Sequence, residues 1–261
     1  MLFKKGLIVF ICLVLLGMAR AQVLQLSAPI DCHVGHLLVL HVEQEHAFVE
    51  HAIVFEIGQQ GSGRTIAIGA EEYGIPLGVP IPEDHPLKPV SPYAKSKMLA
   101  EQLGKESAKR GFRVLLLRPF NHIGPGQSPD FAVSAFASQI AKIEKAGKPI
   151  IEVGNLESKR DFTDVRDVVR AYVTAFEKGD SGEPYNICSG TAYEMKEILE
   201  KLLAMSKKKV EIKKDPARMR SSDIPILLGD NRKFFRKTGW RPMIPIDDSL
   251  HSVLEYWRHR K

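Results

Sequence analysis

An uninterrupted apolar run at residues 114–117, inside the segment RVLLLRPF, constrains the fold more than any other feature. A strand with one solvated face alternates apolar and polar residues, so a continuous run predicts a strand covered on both faces. Strand and helix patterns alternate around this run, from residue 64 to the C-terminus. Such alternation is typical of α/β proteins. We therefore predict an α/β fold with a buried parallel sheet.

The segment before this run carries the start and stop residues of a helix. Ser91 is a predicted N-cap, Pro92 lies in the first turn and Gly111 follows the end. Residues 76–92 are proline-rich and predict an extended loop, because the residue before a proline avoids the helical region. The other predicted helices are PDFAVSAFASQIAKIEKAG, residues 163–177, YEMKEILEKLLAMS and DDSLHSVLEYWRHRK, and the other predicted strands are RTIAIG, PIIEVG and PYNICS.

Residues 1–21 resemble an export signal. Lys4 and Lys5 precede twelve mostly apolar residues at 7–18, and the small residues Ala19 and Ala21 fit a cleavage site. Twelve residues are too few to span a bilayer, which favours a cleaved segment over a membrane anchor. We therefore expect no stable membrane span, and a secreted or periplasmic location if this segment is functional.

The charge balance argues against a nucleic-acid partner. The formal net charge is +6, but residues 1–21 hold three of the basic residues and no acidic ones, so half of the excess lies there. The remaining excess is small and scattered, whereas nucleic-acid binding needs a concentrated basic surface. Hydrophobic content of 44% and charged content of 26% are those of an ordinary globular protein.

Residues 22–63 lack a clear period, and we predict irregular structure there. Five of the nine histidines lie in this segment, but His41, His46 and His51 recur every five residues and would not share a helix face. We therefore predict no metal site.

The segment AIVFEIGQQGSGRT, at residues 52–65, resembles a phosphate-binding loop. Arginine stands at position 64 where such a loop has lysine, and a strand pattern follows where a helix N-terminus is needed. We interpret the segment as a turn that leads into the strand RTIAIG.

Tyr93 and Lys97 form the most chemically suggestive pair. A spacing of four residues places both side chains on one face of the predicted helix. A lysine ammonium beside a phenol favours the phenolate, which makes tyrosine usable as a general acid or base. By itself the spacing is common, and a surface pair on a helix would satisfy it equally well.

Other motifs give the pair its context. They are EEYGIPLGVPIPEDHPLKPVSPYAKSK, LRPFNHIGPGQ, RDFTDVRDVVRAY, YNICSG and DPARMRSSDIPILLGD, in this order between residues 64 and 261. Together they resemble the extended short-chain dehydrogenase/reductases that modify nucleotide sugars. More narrowly, they resemble the GDP-mannose 4,6-dehydratase and GDP-4-keto-6-deoxymannose reductase group.

The resemblance implies a Rossmann-like parallel sheet, incomplete at the N-terminus, with a small C-terminal substrate-binding lobe. It also implies a GDP-sugar substrate, NAD or NADP as cofactor, a cytoplasmic location and a homodimer. The predicted divisions of the chain are a signal-like segment at 1–21, a degenerate remnant of the nucleotide-binding half at 22–63, a Rossmann-like core at 64–190 and the substrate-binding lobe at 191–261.

The resemblance also assigns roles to single residues. Tyr93 would transfer the proton, and Lys97 would hold the nicotinamide ribose and tune Tyr93. Glu71 would be a further catalytic residue, as the base of a dehydratase. The cofactor contacts would be made by Tyr93, Lys97 and His122. The substrate contacts would be made by Asn121, Arg160, Arg218 and Arg220, with the arginines near the diphosphate.

The sequence departs from the family pattern in two places. Gly69 stands where the family has a catalytic serine or threonine, and no Gly-x-x-Gly-x-x-Gly loop for the cofactor pyrophosphate is found. Two functions follow as alternatives: a dehydratase or reductase of GDP-sugars, or a cofactor-less pseudoenzyme or secreted sugar-nucleotide-binding protein. Glu71 fits both the dehydratase and the reductase, and the residues of the motif RPFNHIGPGQ favour the reductase.

Overall fold

The computed structural model describes residues 69–146, 148–219 and 224–260, and before them the backbone of four strands. These strands are β1 (Ala21–Leu24), β2 (Leu37–Gln44), β3 (Ala47–Glu56) and β4 (Arg64–Ala67). The signal-like segment up to residue 20 and the turn at residues 57–63 lie outside the described residues. The strand predicted after that turn is confirmed as β4.

The largest sheet has six strands in the order β1-β2-β3-β4-β5-β9, where β5 is Val114–Pro119 and β9 is Pro184–Ile187. Strands β4, β5 and β9 pair in parallel, and β1 to β4 pair antiparallel. The prediction of irregular structure at residues 22–63 is wrong for β1, β2 and β3, because backbone pairing between antiparallel neighbours does not need an alternating side-chain pattern.

Six helices are described, and each predicted helix is confirmed to within a few residues. They are α1 (Pro92–Lys109), α2 (Ala132–Lys145), α3 (Val165–Lys178), α4 (Met195–Ala204), α5 (Arg232–Thr238) and α6 (Ile246–His259). Ser91 caps α1 as predicted, since its Oγ accepts a hydrogen bond from the Ala94 amide at 3.1 Å. The short helix α5 was not predicted.

Strand β5 lies at the centre of the fold. Leu115 and Leu117 pack into one apolar cluster with residues of α3, while Val114 and Leu116 pack on the opposite face against Ala108 of α1. The prediction of a strand covered on both faces is therefore confirmed.

The C-terminal part of the fold contains two smaller sheets. One is built around β8 (Lys159–Asp164), which pairs with β6 (Asn121–Ile123), β10 (Ala192–Glu194) and β12 (Ile226–Leu227). The other pairs β7 (Ile150–Val153) with β11 (Glu211–Lys214). Helices α2, α4 and α6 share an apolar core with β6, β7 and β8.

The fold is thus a Rossmann-like α/β structure, as predicted. The boundaries of the predicted divisions of the chain stay predictions. Among the described helices, none is both long enough and apolar enough to cross a membrane.

Candidate active site

Residues 69–74, which we call the Glu71 turn, follow the carboxyl end of β4 and contain a short 3₁₀ helix, Ala70–Tyr73. Asn121 and His122 follow the carboxyl end of the neighbouring strand β5. Because β4 and β5 are parallel, both segments lie at the same edge of the sheet. In open α/β sheets this edge is where ligands bind.

Tyr93 and Lys97 lie in the first two turns of α1 and share a face, as the spacing predicts. The Lys97 Nζ lies 5.0 Å from the centre of the Tyr93 ring, and the Lys97 side chain is buried. A buried ammonium at this distance interacts favourably with the ring and with negative charge on its oxygen.

Glu71 joins this pair through the space beside Gly69. A Cβ atom built on Gly69 would lie 3.0 Å from the Glu71 Oε2 and 4.0 Å from the Tyr93 hydroxyl. The Glu71 carboxylate and the Tyr93 hydroxyl therefore flank the position where the family pattern has a serine or threonine. Gly69 has φ +128°, a conformation that side chains disfavour, so the backbone here is suited to glycine.

A cleft of about 440 Å³ lies at the C-terminal lobe and collects four of the predicted substrate and cofactor residues. Its polar lining includes Asn121, His122, Gln127, Glu152, Arg160 and Arg218. Tyr93, Lys97 and Glu71 are not among its lining residues. Arg220 lies outside the described residues, so its predicted role stays a prediction.

Two amide oxygens in the cleft are buried without a protein partner. Within the described ranges, neither the Asn121 Oδ1 nor the Gln127 Oε1 accepts a hydrogen bond. Buried polar atoms are seldom left unpaired in folded proteins, so these two acceptors are suited to hydroxyl or N–H groups of a ligand. Gln127 was not predicted as a site residue, although it stands in the quoted motif.

The two arginines of the cleft are held differently. Arg160 donates a hydrogen bond to the Ile224 carbonyl at 2.6 Å. Arg218 is half-exposed and lies near two carboxylates, 3.4 Å from Asp215 and 4.0 Å from Glu152. A Cβ atom on Gly154 would collide with the Arg218 backbone, so glycine is needed for this close approach.

The Glu71 turn contributes two residues to a buried set of polar residues that was not predicted from the sequence. We call it the Arg118 network, and it consists of Glu72, Tyr73, Glu101, Arg118 and Asn186. Arg118 donates two hydrogen bonds to Glu101, at 2.8 and 2.6 Å, and one to the Tyr73 hydroxyl at 2.6 Å. Tyr73 in turn donates to the Asn186 Oδ1 at 2.7 Å. Arg118 directly follows the apolar run of β5 in the sequence.

The network ties the elements of the site together. Glu101 lies one turn beyond Lys97 on α1, Arg118 lies on β5 just before Asn121, and Glu72 follows Glu71. One guanidinium therefore fixes the helix of the Tyr–Lys pair against the strand that leads to the cleft.

The two carboxyl groups beside Arg118 differ in pKa. Burial raises the pKa of Glu72 to about 8; the charge of Arg118 opposes this shift and that of Glu101 adds to it. Burial also disfavours ionised Glu101, but hydrogen bonds from Arg118 and its charge outweigh this and lower the Glu101 pKa. Near neutral pH the network thus holds one carboxylate and one neutral carboxyl group.

Asp161 supports the C-terminal side of the cleft. Its carboxylate accepts hydrogen bonds from the Ser189 amide at 2.7 Å, the Ser189 hydroxyl at 2.6 Å and the Gly190 amide at 2.9 Å. Burial raises the pKa of Asp161 to about 6, against the lowering effect of these bonds. Asp161, which follows Arg160 in the motif RDFTDVRD, therefore connects β8 to the loop after β9.

Comparisons with known proteins show the family of this chain. A family model described as GDP-mannose 4,6 dehydratase matches residues 56–253. The GDP-6-deoxy-D-mannose reductase of Pseudomonas aeruginosa is 40% identical over 184 residues, which cover 70% of this chain and 60% of that protein. The GDP-6-deoxy-D-talose 4-dehydrogenase of Aggregatibacter actinomycetemcomitans is 35% identical over 168 residues, 64% of this chain and 55% of that protein.

A solved structure gives the same result. RMD from Pseudomonas aeruginosa complexed with NADPH has a TM-score of 0.71 and 36% identity, covering 74% of this chain and 66% of that one. The chain spans about 60% of the length of the first of these relatives and 55% of the second. Because the family model matches most of the chain, the chain belongs to the GDP-mannose 4,6-dehydratase family.

Proposed function

We propose that this chain binds a GDP-sugar and belongs to a nicotinamide-dependent enzyme that acts at C4 of that sugar. The observation that carries the proposal is the meeting of the Glu71 carboxylate and the Tyr93 hydroxyl beside Gly69, with Lys97 buried behind the Tyr93 ring. An acid–base pair at the ligand-binding edge of a parallel sheet is what proton transfer to or from a sugar hydroxyl requires.

Some of these residues take part in proton transfer and the others bind the substrate. Tyr93 exchanges a proton with the oxygen on C4, and Lys97 stabilises the negative charge that this leaves on the tyrosine oxygen. Arg160 and Arg218 bind the diphosphate, since guanidinium groups pair well with phosphate oxygens. Asn121 and Gln127 offer acceptors to the hydroxyl groups of the sugar.

The residues present fit one end of NAD or NADP. By the family resemblance Lys97, whose ammonium lies beside the Tyr93 ring, would bind the nicotinamide ribose. The sequence contains no glycine-rich loop of the kind that binds the cofactor pyrophosphate, so we assign no residues to that part of the cofactor. When bound, the nicotinamide supplies hydride transfer, and the chain supplies orientation and the proton.

We propose reduction of a 4-keto sugar rather than dehydration. Support comes from the residues of the motif RPFNHIGPGQ, which resemble the reductases, and from a relative described as GDP-6-deoxy-D-mannose reductase. Glu71 does not separate the two reactions. Gly69 removes one hydroxyl that would polarise the sugar carbonyl, which costs roughly 10²–10³ in rate at comparable sites.

The test is to titrate the chain separately with GDP-mannose and with NADPH, and then to assay turnover of a GDP-4-keto-6-deoxy sugar. We expect GDP-sugar binding, and turnover that Tyr93→Phe lowers roughly 10²–10⁴-fold while GDP binding is retained. Binding of the GDP-sugar without NADPH binding or turnover would instead support a cofactor-less binding protein. Binding of neither ligand would contradict both functions.

A further inference from the structure

Glu152 lies in the cleft at a position that the strand pattern fixes. It is the third residue of β7, between Ile151 and Val153, whose side chains are fully buried in the core. Because successive residues of a strand point to opposite faces, the Glu152 side chain points away from that core. It lines the cleft and is 45% exposed.

A glutamine on α2 holds the Glu152 backbone from both sides. The Gln139 Oε1 accepts a hydrogen bond from the Glu152 amide at 2.9 Å, and the Gln139 Nε2 donates one to the Glu152 carbonyl at 3.0 Å. The start of the Glu152 side chain is therefore fixed, as a group that selects between ligands requires.

The cleft around Glu152 combines apolar and cationic groups. Phe131 and Met219 are exposed apolar side chains in the lining, and they offer faces on which a flat ring can stack. Arg218 and Arg160 supply positive charge for phosphate. A carboxylate opposes the binding of a diphosphate unless another part of the ligand donates hydrogen bonds to it.

We propose that Glu152 selects the nucleobase of the ligand by accepting hydrogen bonds from N1–H and the 2-amino group of guanine. A carboxylate accepts from two adjacent donors at once. Guanine presents two adjacent N–H donors on one edge, whereas adenine and cytosine place an acceptor beside their amino group, and uracil flanks its single N–H with acceptors. This inference rests on the proposed function, because it concerns the same cleft.

In an alternative interpretation, Glu152 positions the Arg218 side chain and does not contact the base. The distance between the two side chains is 4.0 Å, and Asp215 lies closer to Arg218, at 3.4 Å. Asp215 therefore provides a matched control, because Asp215→Asn removes a carboxylate beside Arg218 but keeps a side-chain oxygen that can accept the hydrogen bond from the Ala217 amide.

The experiment compares GDP, inosine diphosphate and UDP by calorimetry on the full chain. Inosine diphosphate lacks only the 2-amino group of guanine, so the ratio of its Kd to that of GDP isolates one hydrogen bond to the carboxylate. We expect about a tenfold preference for GDP in the unmodified chain, as one charge-assisted bond provides.

Glu152→Gln is expected to reduce this preference below about threefold, because its amide N–H₂ faces a donor of guanine instead of accepting from it. Asp215→Asn is expected to keep the tenfold preference. Unchanged melting temperatures would show that both variants fold.

Three outcomes would overturn the inference. If GDP and UDP bind and the unmodified chain does not distinguish GDP from inosine diphosphate, base selection by Glu152 is wrong and the proposed function stands. If Asp215→Asn reduces the preference as much as Glu152→Gln, Glu152 acts only through Arg218. If no nucleotide binds, the proposed function fails together with the inference.

Discussion

The Arg118 network and the cleft are both rich in polar side chains, but they differ in what satisfies those side chains. In the network, Arg118 is 1% exposed and its guanidinium donates to Glu101, to Tyr73 and to the Glu83 carbonyl. In the cleft, the buried oxygens of Asn121 and Gln127 have no hydrogen-bond partner among the described residues, and Arg218 is half-exposed.

This difference separates framework from binding surface. Polar groups that satisfy one another contribute to the stability of the fold, and losing one partner leaves the other buried and unpaired. The two unpaired oxygens of the cleft contribute nothing to that stability and remain available to a ligand. Both oxygens of Glu72 in the network also lack a hydrogen-bond partner among the described residues, but they lie against the Arg118 guanidinium. Substitutions in the network should therefore change stability, and substitutions in the cleft should change binding.

The largest expected effect is that of Arg118→Met. The change keeps much of the side-chain volume but removes the buried guanidinium that pairs with Glu101, which retains only the partly exposed Lys105 as a counter-charge. Removing one partner of a buried ion pair costs about 3–5 kcal/mol in the free energy of unfolding. Urea denaturation would measure the loss.

Arg218→Met is the control from the cleft. This arginine is 44% exposed, so we expect its replacement to change the free energy of unfolding by less than about 1 kcal/mol and to weaken GDP binding. Equal losses of stability in the two variants would contradict the division into framework and cleft.

The next effect concerns pH. Glu72 has a pKa near 4.5 in the unfolded chain and about 8 in the fold, so folding favours its protonated form. Its contribution to stability is complete below about pH 4.5 and is lost as pH rises towards 8. We expect the free energy of unfolding to fall by on the order of 1 kcal/mol per pH unit between pH 6.5 and 8.

Glu72→Gln tests the origin of this fall, because glutamine resembles the protonated carboxyl group. The variant should show a flatter dependence of stability over pH 6.5–8, measured by denaturant unfolding. This window lies above the pKa of Asp161, which burial raises to about 6, so Asp161 adds little to the slope. An equally steep fall in the variant would assign the dependence to another group.

The smallest expected effect is that of Asn121→Ala in the cleft. Loss of one hydrogen bond to the ligand should weaken GDP-sugar binding about fivefold, which corresponds to about 1 kcal/mol. The melting temperature should stay nearly constant, because the Asn121 Oδ1 has no described protein partner to lose. A clear drop in melting temperature with unchanged affinity would place Asn121 in the framework instead.

The sequence allowed much of the fold from residue 64 onwards to be predicted. The apolar run of β5, the Ser91 cap and the helix periods are local patterns, and a local pattern depends only on residues near one another in the chain. The short strands β6, β10 and β12 were not predicted, because two or three residues carry too little pattern. Strands β2 and β3 were missed because pairing between neighbours formed them.

The site was predicted in part for the same reason. Tyr93 and Lys97 are one helical turn apart, so their spacing alone placed them on one face. Glu71, Asn121 and Arg160 were named through motif resemblance, and their proposed roles stay predictions. Gln127 and Glu152 were not named, because their importance depends on which strand or loop faces the cleft.

The sequence by itself therefore determined the α/β class, the buried central strand and the Tyr93–Lys97 pair. Only the tertiary structure decided which distant residues meet. Tyr73 and Asn186 are 113 positions apart, yet a 2.7 Å hydrogen bond joins them in the Arg118 network. The physical reason is that burial leaves each polar group dependent on a partner, and packing of the whole chain determines which partner is within reach.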